Sequence, residues 1–370
     1  MSASHFAALA ALALQQIVVP LGPAPRHNEP ERAPIEQSGP EWARACAGSD
    51  AASRRDWEKP APPVRIHANT YLVGTCGISS ILVVGSAGDV LIDSGPEAAA
   101  DLVADNIRAL GFKLSDVKYI LHSHEHYDHV GGVARLQQLT GATLVASAPA
   151  ARVFATGVPS ADDPQAGTLK PFPAATVGQI IVDGGTIRFG DLLLTAIATP
   201  GHTAGALSWR WESCAGAVCR TIVYADSLSP VSRDGYRFSD HPAAIAAFRQ
   251  SIAKIADGRC ELLLTPHPAA SDMPARLAKG KPLLDPEACR TFAAARTKAL
   301  DERLAKEAAK NSSPERGGGP SETWWRGRGA ASVDPSVTPS ARHQRRVAWS
   351  PGPSLDCWEQ CNPALVPGRN

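Results

Sequence analysis

Apolar positions recur through the middle of the chain in two patterns, one typical of strands and one typical of helices. Helical spacing predicts helices over residues 97–111, 132–139, 243–256 and 285–310. Short apolar runs predict two series of strands, the first over 64–73, 80–84, 90–92 and 117–121, and the second over 178–190, 192–198, 206–211, 220–225 and 262–264. Two strand-rich halves, each with helices, predict a layered α/β fold with helices outside packed sheets.

The two ends of the chain lack this pattern. Residues 1–22 hold a short apolar stretch with a small-residue site, which predicts a secretory signal peptide; because no basic residue precedes Arg26, a true start further upstream is the alternative. Residues 23–60 are rich in Pro, Ala and Glu and predict an N-terminal arm. The predicted domain covers 61–310. Residues 311–370 lose periodicity and predict a disordered tail, with a read-through or frameshifted end as the alternative.

Composition narrows the classes of function. Apolar residues make up 44% of the 370 positions and charged residues 20%, as in ordinary globular proteins. Lys and Arg exceed Asp and Glu by one charge, which gives no sign of binding to nucleic acid or an acidic membrane. The sequence has no apolar run long enough for a membrane span. The eight Cys form no CxxC pair, so we predict disulfides and export to an oxidising compartment.

Histidine is concentrated in one short segment at the end of a predicted strand. Four of the 11 His lie within residues 122–129, together with an Asp. Imidazole and carboxylate ligands at this spacing are typical of a zinc site. Only one register gives His-x-His-x-Asp-His, and it leaves out His122, which we interpret as a structural group facing the strand. The register consists of His124, His126, Asp128 and His129.

Two more His follow predicted strands in the second half of the chain. His202 lies in Thr-Pro-Gly-His-Thr-Ala-Gly, and His267 lies in Thr-Pro-His-Pro. With them, six candidate ligands divide into two groups of three. Three protein ligands leave a position open, as in catalytic zinc sites. The other His have no such context and are interpreted as ordinary: His5, His27, His67, His241 and His343.

These motifs resemble the metallo-β-lactamase superfamily, and most of all a subclass B3 metallo-β-lactamase. The resemblance rests on Asp93-Ser-Gly, the His124 to His129 motif, Gly-His202, Pro-His267 and, for the subclass, Tyr224-Ala-Asp-Ser-Leu-Ser. It implies an αββα sandwich. It also implies two Zn²⁺ ions per chain, the first held by His124, His126 and His202 and the second by Asp128, His129 and His267.

The resemblance further implies an activity. A hydroxide shared by the two zinc ions would attack the β-lactam carbonyl of penicillins, cephalosporins or carbapenems, with Asp128 orienting the nucleophile as the catalytic residue. Ser227 and Ser229 would reach the substrate carboxylate, and Gln165 would line the cleft. The protein would be a periplasmic monomer that confers antibiotic resistance, with a small-molecule partner and no nucleic acid or membrane partner.

The same resemblance implies three disulfides. The pairs are Cys46–Cys76, Cys214–Cys219 and Cys260–Cys289, out of the 15 pairings that six Cys allow. Cys357 and Cys361 remain in the tail, either paired or free.

Two other functions stay open at this point. A thioester or lactone hydrolase similar to glyoxalase II would use an Asp that bridges both metals, and Asp226 is the candidate. A zinc-binding protein without catalysis is the other alternative, although the presence of all six candidate ligands argues against it.

Overall fold

A computed structural model of the chain describes residues 39–49, 55–279 and 283–312. The predicted signal peptide and almost all of the predicted tail, with Cys357 and Cys361, lie outside these residues. The α-helices are α1 Gly39–Ala45, α2 Ala100–Ala109, α3 Tyr127–Val130, α4 Val133–Thr140, α5 Ala148–Phe154, α6 Pro242–Asp257, α7 Met273–Ala278 and α8 Ala288–Ser312. The strands are β1 Val64–His67, β2 Thr70–Leu72, β3 Ile81–Val83, β4 Asp89–Ile92, β5 Val117–Leu121, β6 Thr143–Ala146, β7 Val177–Ile180, β8 Thr186–Phe189, β9 Leu192–Ala198, β10 Leu207–Ala215, β11 Val218–Tyr224 and β12 Leu262–Leu264.

The strands form two sheets. The first has seven strands in the order β1-β2-β3-β4-β5-β6-β7, antiparallel from β1 to β4 and parallel from β4 to β7. The second has five strands in the order β12-β11-β10-β9-β8 and is antiparallel except for the parallel pair β11 and β12. Loops that follow β5, β9, β11 and β12 carry most of the polar residues described below.

Alternation along the buried strands produces three apolar layers. In β4, Val90 and Ile92 enter a cluster shared by both sheets, whereas Leu91 enters a second cluster with α2, α4 and α5. In β12, the outer residue Leu263 joins a third cluster with α6 and α8. Side chains of successive strand residues point to opposite faces, so each sheet is covered on both sides. The predicted α/β fold is confirmed, with helix, sheet, sheet and helix as its layers.

Two predicted strands are wrong in extent. The predicted strand over 64–73 is a hairpin of β1 and β2, because Ala68 takes a φ of +41° and turns the chain. The predicted strand over 178–190 is two strands, β7 in the first sheet and β8 in the second, joined by a turn at Gly184 with a φ of +74°. The apolar pattern predicts neither strand β6 nor helices α1, α3, α5 and α7, since each is short.

The expectation of an arm over 23–60 fails for the residues of α1. Its Trp42 is fully buried in the cluster between the sheets, and α1 packs against α7. One large apolar side chain in a polar segment is enough to dock a short helix, because burying an aromatic side chain contributes roughly 1.5–3 kcal/mol. The Cys46–Cys76 disulfide fastens the same segment to the loop after β2.

The structure contains the three disulfides that the family resemblance implies, Cys46–Cys76, Cys214–Cys219 and Cys260–Cys289. The second of them closes the hairpin of β10 and β11, in which its two Cys are directly paired across the strands. In the part of the chain that is described, no helix is both long and apolar enough to cross a membrane.

Candidate metal centre

Six side chains from three separate segments converge where the two sheets meet. The segment after β5 and the start of α3 supply four of them, the loop between β9 and β10 supplies one, and the loop after β12 supplies the last. Five are buried, and the His267 side chain is 24% exposed, so the group opens to solvent on that side. They are His124, His126, Asp128, His129, His202 and His267.

The first three imidazoles surround a common point. Ring centroids lie 4.8 Å apart for His124 and His126, 4.6 Å for His124 and His202, and 4.9 Å for His126 and His202. One nitrogen from each lies within 4.8 Å of the others, which fits a single metal ion. This is the first triad, and its members are the three residues implied for the first zinc.

The second set gathers around the Asp128 carboxylate. Its Oδ2 lies 3.1 Å from His129 Nε2 and 3.6 Å from His267 Nε2, and the rings of His129 and His267 lie 4.8 Å apart. Asp128 and His129 also group with His124 within 4.8 Å. His124 therefore stands between the two sets, and Asp128, His129 and His267 form the second triad.

Each imidazole of the first triad is held at one nitrogen by an acceptor. His124 Nδ1 donates to Asp226 Oδ1 at 2.8 Å, His126 Nε2 donates to Asp163 Oδ2 at 2.9 Å, and His202 Nδ1 donates to the Ser229 carbonyl at 2.9 Å. Ligand imidazoles usually donate their second N–H in this way, which fixes the ring and its tautomer.

Buried nitrogen atoms without partners indicate that a ligand is expected between the rings. His124 Nε2 and both nitrogens of His129 are buried and make no hydrogen bond. In the second triad, the N–H of His267 Nδ1 faces the Gly77 carbonyl at 3.3 Å, so Nε2 is the nitrogen left on the Asp128 side. An unpaired buried nitrogen costs about 1–3 kcal/mol. A borderline cation such as Zn²⁺ would satisfy His124 Nε2 and one nitrogen of His129, and the donor set fits it.

Electrostatics keep three of the candidate imidazoles and the Asp128 carboxylate in the forms that bind metal. His129 differs, because the Asp128 carboxylate outweighs burial and raises the pKa of this ring. Burial lowers the pKa of His124, lowers that of His202 to about 3 and lowers that of His267 to about 4. These rings are therefore neutral at neutral pH. Burial would raise the pKa of Asp128, but its contact with His129 outweighs burial and holds the carboxyl well below its usual range. Metal binding requires neutral imidazole and ionised carboxylate.

Glu125 fixes the His202 loop to the segment after β5. Its carboxylate accepts the Thr203 hydroxyl at 2.7 Å and the Gly205 backbone N–H at 2.9 Å. A Cβ on Gly205 would lie 2.6 Å from the Ala150 nitrogen, so only glycine permits this approach. The carboxylate between two ligand His thus points away from the metal centre and joins the two halves of the chain.

His122 lies outside the cluster, as the sequence analysis predicts. Its ring packs edge-on against Phe154 at 5.4 Å, and its Nε2 accepts the Ser147 N–H at 3.3 Å. Burial lowers the pKa of His122 to about 3, so it remains neutral. It is a packing residue on the helical side of the first sheet.

The segment after β11 borders the first triad. Asp226 is fully buried behind His124, with its second oxygen accepting the Leu228 N–H at 3.3 Å. Burial raises the pKa of Asp226 to about 7. Ser229 Oγ lies 3.2 Å from His202 Nδ1, and the Ser227 hydroxyl is buried without a partner. The Ser229 hydroxyl therefore belongs to the surroundings of the metal centre.

Two neighbours of the site were missed from the sequence. Asp163, which holds His126, lies on the loop after α5, and the backbone N–H of the predicted cleft residue Gln165 donates to its Oδ1 at 2.7 Å. The Trp57 ring packs 5.8 Å from His267 and 5.9 Å from Tyr127. Neither residue carried a spacing signal, because each comes from an irregular segment.

Comparisons with known proteins agree with this geometry. The model of the metallo-β-lactamase superfamily matches residues 73–217. The solved structure of the MIM-2 metallo-β-lactamase is 54% identical, with a TM-score of 0.69, over 73% of this chain and 98% of that one. MEM-A1, a subclass B3 metallo-β-lactamase from a soil metagenome library, is 41% identical with a TM-score of 0.65, over 69% of this chain and 100% of that one.

One curated relative is named for an activity other than that of the β-lactamases. The hydroxyacylglutathione hydrolase of Methylococcus capsulatus is 28% identical over 38% of this chain, and the match spans 45% of that protein's length. The chain thus spans less than half of this relative, whereas it spans nearly all of MIM-2. The chain belongs to the metallo-β-lactamase superfamily. Within this superfamily, the chain is similar to subclass B3 metallo-β-lactamases such as MEM-A1.

Proposed function

We propose that the protein is a zinc-dependent β-lactamase that opens the amide bond of penicillins, cephalosporins or carbapenems. The observation that carries this proposal is the pair of adjacent triads: His124 of the first groups within 4.8 Å with Asp128 and His129 of the second, and the Ser229 hydroxyl lies beside His202. The 54% identity to MIM-2 supports the same substrate class.

In this proposal the first triad holds one Zn²⁺ and the second triad holds another. Two bound zinc ions would supply Lewis acidity and lower the pKa of coordinated water toward about 7. The Asp128 carboxylate, ionised and itself a member of the second triad, would orient the attacking water, take a proton from it and pass that proton to the amide nitrogen that leaves the carbonyl. Ser227 and Ser229 bind the substrate carboxylate through their hydroxyls, and Gln165 lines the cleft.

A thioester hydrolase is the second candidate, because hydroxyacylglutathione hydrolases match the chain. That activity would need Asp226 as a bridge between two metals. Here Asp226 accepts from His124 Nδ1 on one oxygen and from Leu228 N–H on the other. Its position behind a ligand favours the β-lactamase proposal.

The test is hydrolysis by the purified protein, with and without chelator. We expect two zinc ions per chain, turnover of a carbapenem, loss of that turnover with chelator, and little turnover of a glutathione thioester. His267→Ala should lose zinc, and His241→Ala, an exposed His on another segment, should keep it. One zinc at saturation with full activity contradicts the two-metal proposal, and preferential thioester turnover contradicts the substrate.

Export to the periplasm belongs to the same proposal. Three disulfides in the described residues support it, since disulfides persist in oxidising compartments. We propose that the protein acts there as a monomer and confers resistance to β-lactams.

A further inference from the structure

The Asp163 carboxylate fixes the orientation of the His126 ring within the first triad. The Asp163 side chain is almost fully buried, and its carboxylate can only accept, so His126 Nε2 carries the proton and Nδ1 is left to bind metal. The second oxygen of Asp163 accepts the Gln165 N–H, so the carboxylate is fixed on both sides.

Arg233 fixes the backbone at Asp163 and Pro164 by two hydrogen bonds. Arg233 Nη1 donates to the Asp163 carbonyl at 3.1 Å, and the Arg233 N–H donates to the Pro164 carbonyl at 2.9 Å. Arg233 lies in the segment 230–239 that continues from Ser229. The two segments on either side of the first triad are therefore joined at Arg233.

Helix α8 holds the segment 230–239 in turn. Arg303 Nη2 donates to Ser232 Oγ at 2.7 Å and to the Tyr236 carbonyl at 2.8 Å. Glu307 accepts the backbone N–H groups of Phe238 at 3.0 Å and Ser239 at 2.8 Å. Arg303 and Glu307 also pair with each other at 2.6 Å. Ser232 Oγ in turn donates to the Arg233 carbonyl at 3.2 Å, so connected hydrogen bonds run from α8 through Arg233 and Asp163 to His126.

We propose that Asp163 and Arg233 are positioning residues for the metal ligand His126, and that Arg303 on α8 sets their placement and hence the zinc affinity of the first triad. The inference rests on the metal centre of the proposed function, but not on its substrate. Nothing in the arrangement requires α8 to contact the metal, because the effect passes through side-chain and backbone hydrogen bonds. Loss of a partner behind a ligand typically weakens metal binding about 10–100-fold.

The test is a zinc titration against a chromophoric chelator. Asp163→Ala is expected to weaken one of the two binding constants about 10–100-fold. Asp163→Asn should weaken it less, since its amide oxygen still accepts from His126. The exposed neighbour Asp162→Asn is the matched control and should bind zinc like the wild type. Circular dichroism of each variant at the titration temperature verifies folding.

A double-mutant cycle separates positioning from general destabilisation. Arg303→Met and Arg233→Met should each weaken the same constant by a smaller factor and shift the visible spectrum of the Co²⁺ form. In the Asp163→Ala background neither should have a further effect, because the connection to His126 is already broken. Arg290→Met, on the exposed face of the same helix, is the control for Arg303.

Each outcome decides the inference. Unchanged zinc binding in Asp163→Ala, or an equal effect of Arg303→Met in both backgrounds, overturns it and leaves the β-lactamase proposal intact. If the zinc titrations give the expected results but the protein opens no β-lactam, only the substrate proposal is overturned. A wild-type protein that binds no zinc overturns both.

Discussion

The orientation of single imidazole rings decides whether the six candidate ligands can act together. Each ring of the first triad has one nitrogen engaged by an acceptor from another segment, and these acceptors are Asp226, Asp163 and the Ser229 carbonyl. The engaged nitrogen carries the proton, and the free nitrogen faces the centre. Because the rings are already oriented in the folded protein, the free energy needed to orient them is spent during folding and not during metal binding.

Removal of the hydroxyls beside the first triad should affect substrate binding and leave zinc in place. For Ser227→Ala and Ser229→Ala we expect KM for a β-lactam to rise about tenfold to hundredfold, because a hydrogen bond to a charged group contributes about 1.5–3 kcal/mol. The Ser229 carbonyl that holds His202 is backbone and remains in the variant. Steady-state kinetics with metal analysis tests this expectation.

Asp226→Ala provides the contrast, since it removes the acceptor behind His124. It should lower zinc affinity, whereas both serine variants should retain two zinc ions per chain. Zinc loss in Ser227→Ala would show that the division of roles in this segment is wrong.

The ligands could be predicted from the sequence because their residue types are rare and closely spaced. The hydrogen-bond acceptors that orient these ligands could not be predicted from the sequence. Asp163 lies 37 residues beyond His126, and Asp226 lies 102 residues beyond His124. Two other acceptors, at Gly77 and Ser229, are backbone carbonyls, which every residue carries. Only the tertiary fold selects such groups.

At the scale of elements, prediction succeeds where the apolar pattern is strong and fails where turns lack a signal. The strands β5, β9 and β12 agree with their predicted ranges because each is an uninterrupted run of mostly apolar residues. The turn at Ala68 has no Gly or Pro, so β1 and β2 read as one strand. The division of 178–190 between two sheets depends on packing of the sheets rather than on local propensity.

Helix α8 shows how one element stabilises an irregular segment, and Glu307 makes this contribution depend on pH. Burial would raise the pKa of Glu307, but the N–H groups of Ser239 and Phe238 and the Arg303 guanidinium lower it from 4.5 to about 2. Between these values the unfolded chain binds a proton that the folded protein does not. Stability from this group is therefore present above about pH 4.5 and is lost as the pH falls toward 2.

Glu307→Gln should remove this part of the pH dependence. We expect the difference in urea midpoint between the wild type and the variant to be large at about pH 6 and to shrink at about pH 3. Glu302→Gln, an exposed neighbour on the same helix, should show no such change. A constant difference at both pH values would contradict the prediction.

At the scale of the whole molecule, the metal centre lies at the seam between two sheets that the chain builds one after the other. Four candidate ligands come from the first half, and His202 and His267 come from the second. Glu125 joins the halves by hydrogen bonds. The disulfides add covalent links, and two of them, Cys46–Cys76 and Cys260–Cys289, fasten α1 and α8 to the sheets.

The three disulfides should contribute to stability according to the length of chain each one closes. Cys46–Cys76 and Cys260–Cys289 span 30 and 29 residues, whereas Cys214–Cys219 spans 5. Loop-closure entropy then predicts losses of about 4 kcal/mol for each long pair and about 2 kcal/mol for the short pair when both Cys are replaced by Ala. The free energy of unfolding in urea at fixed zinc concentration measures these losses. The two long pairs are both buried and control for each other. Equal losses for all three pairs would show that strain or local packing, rather than chain entropy, sets their contribution.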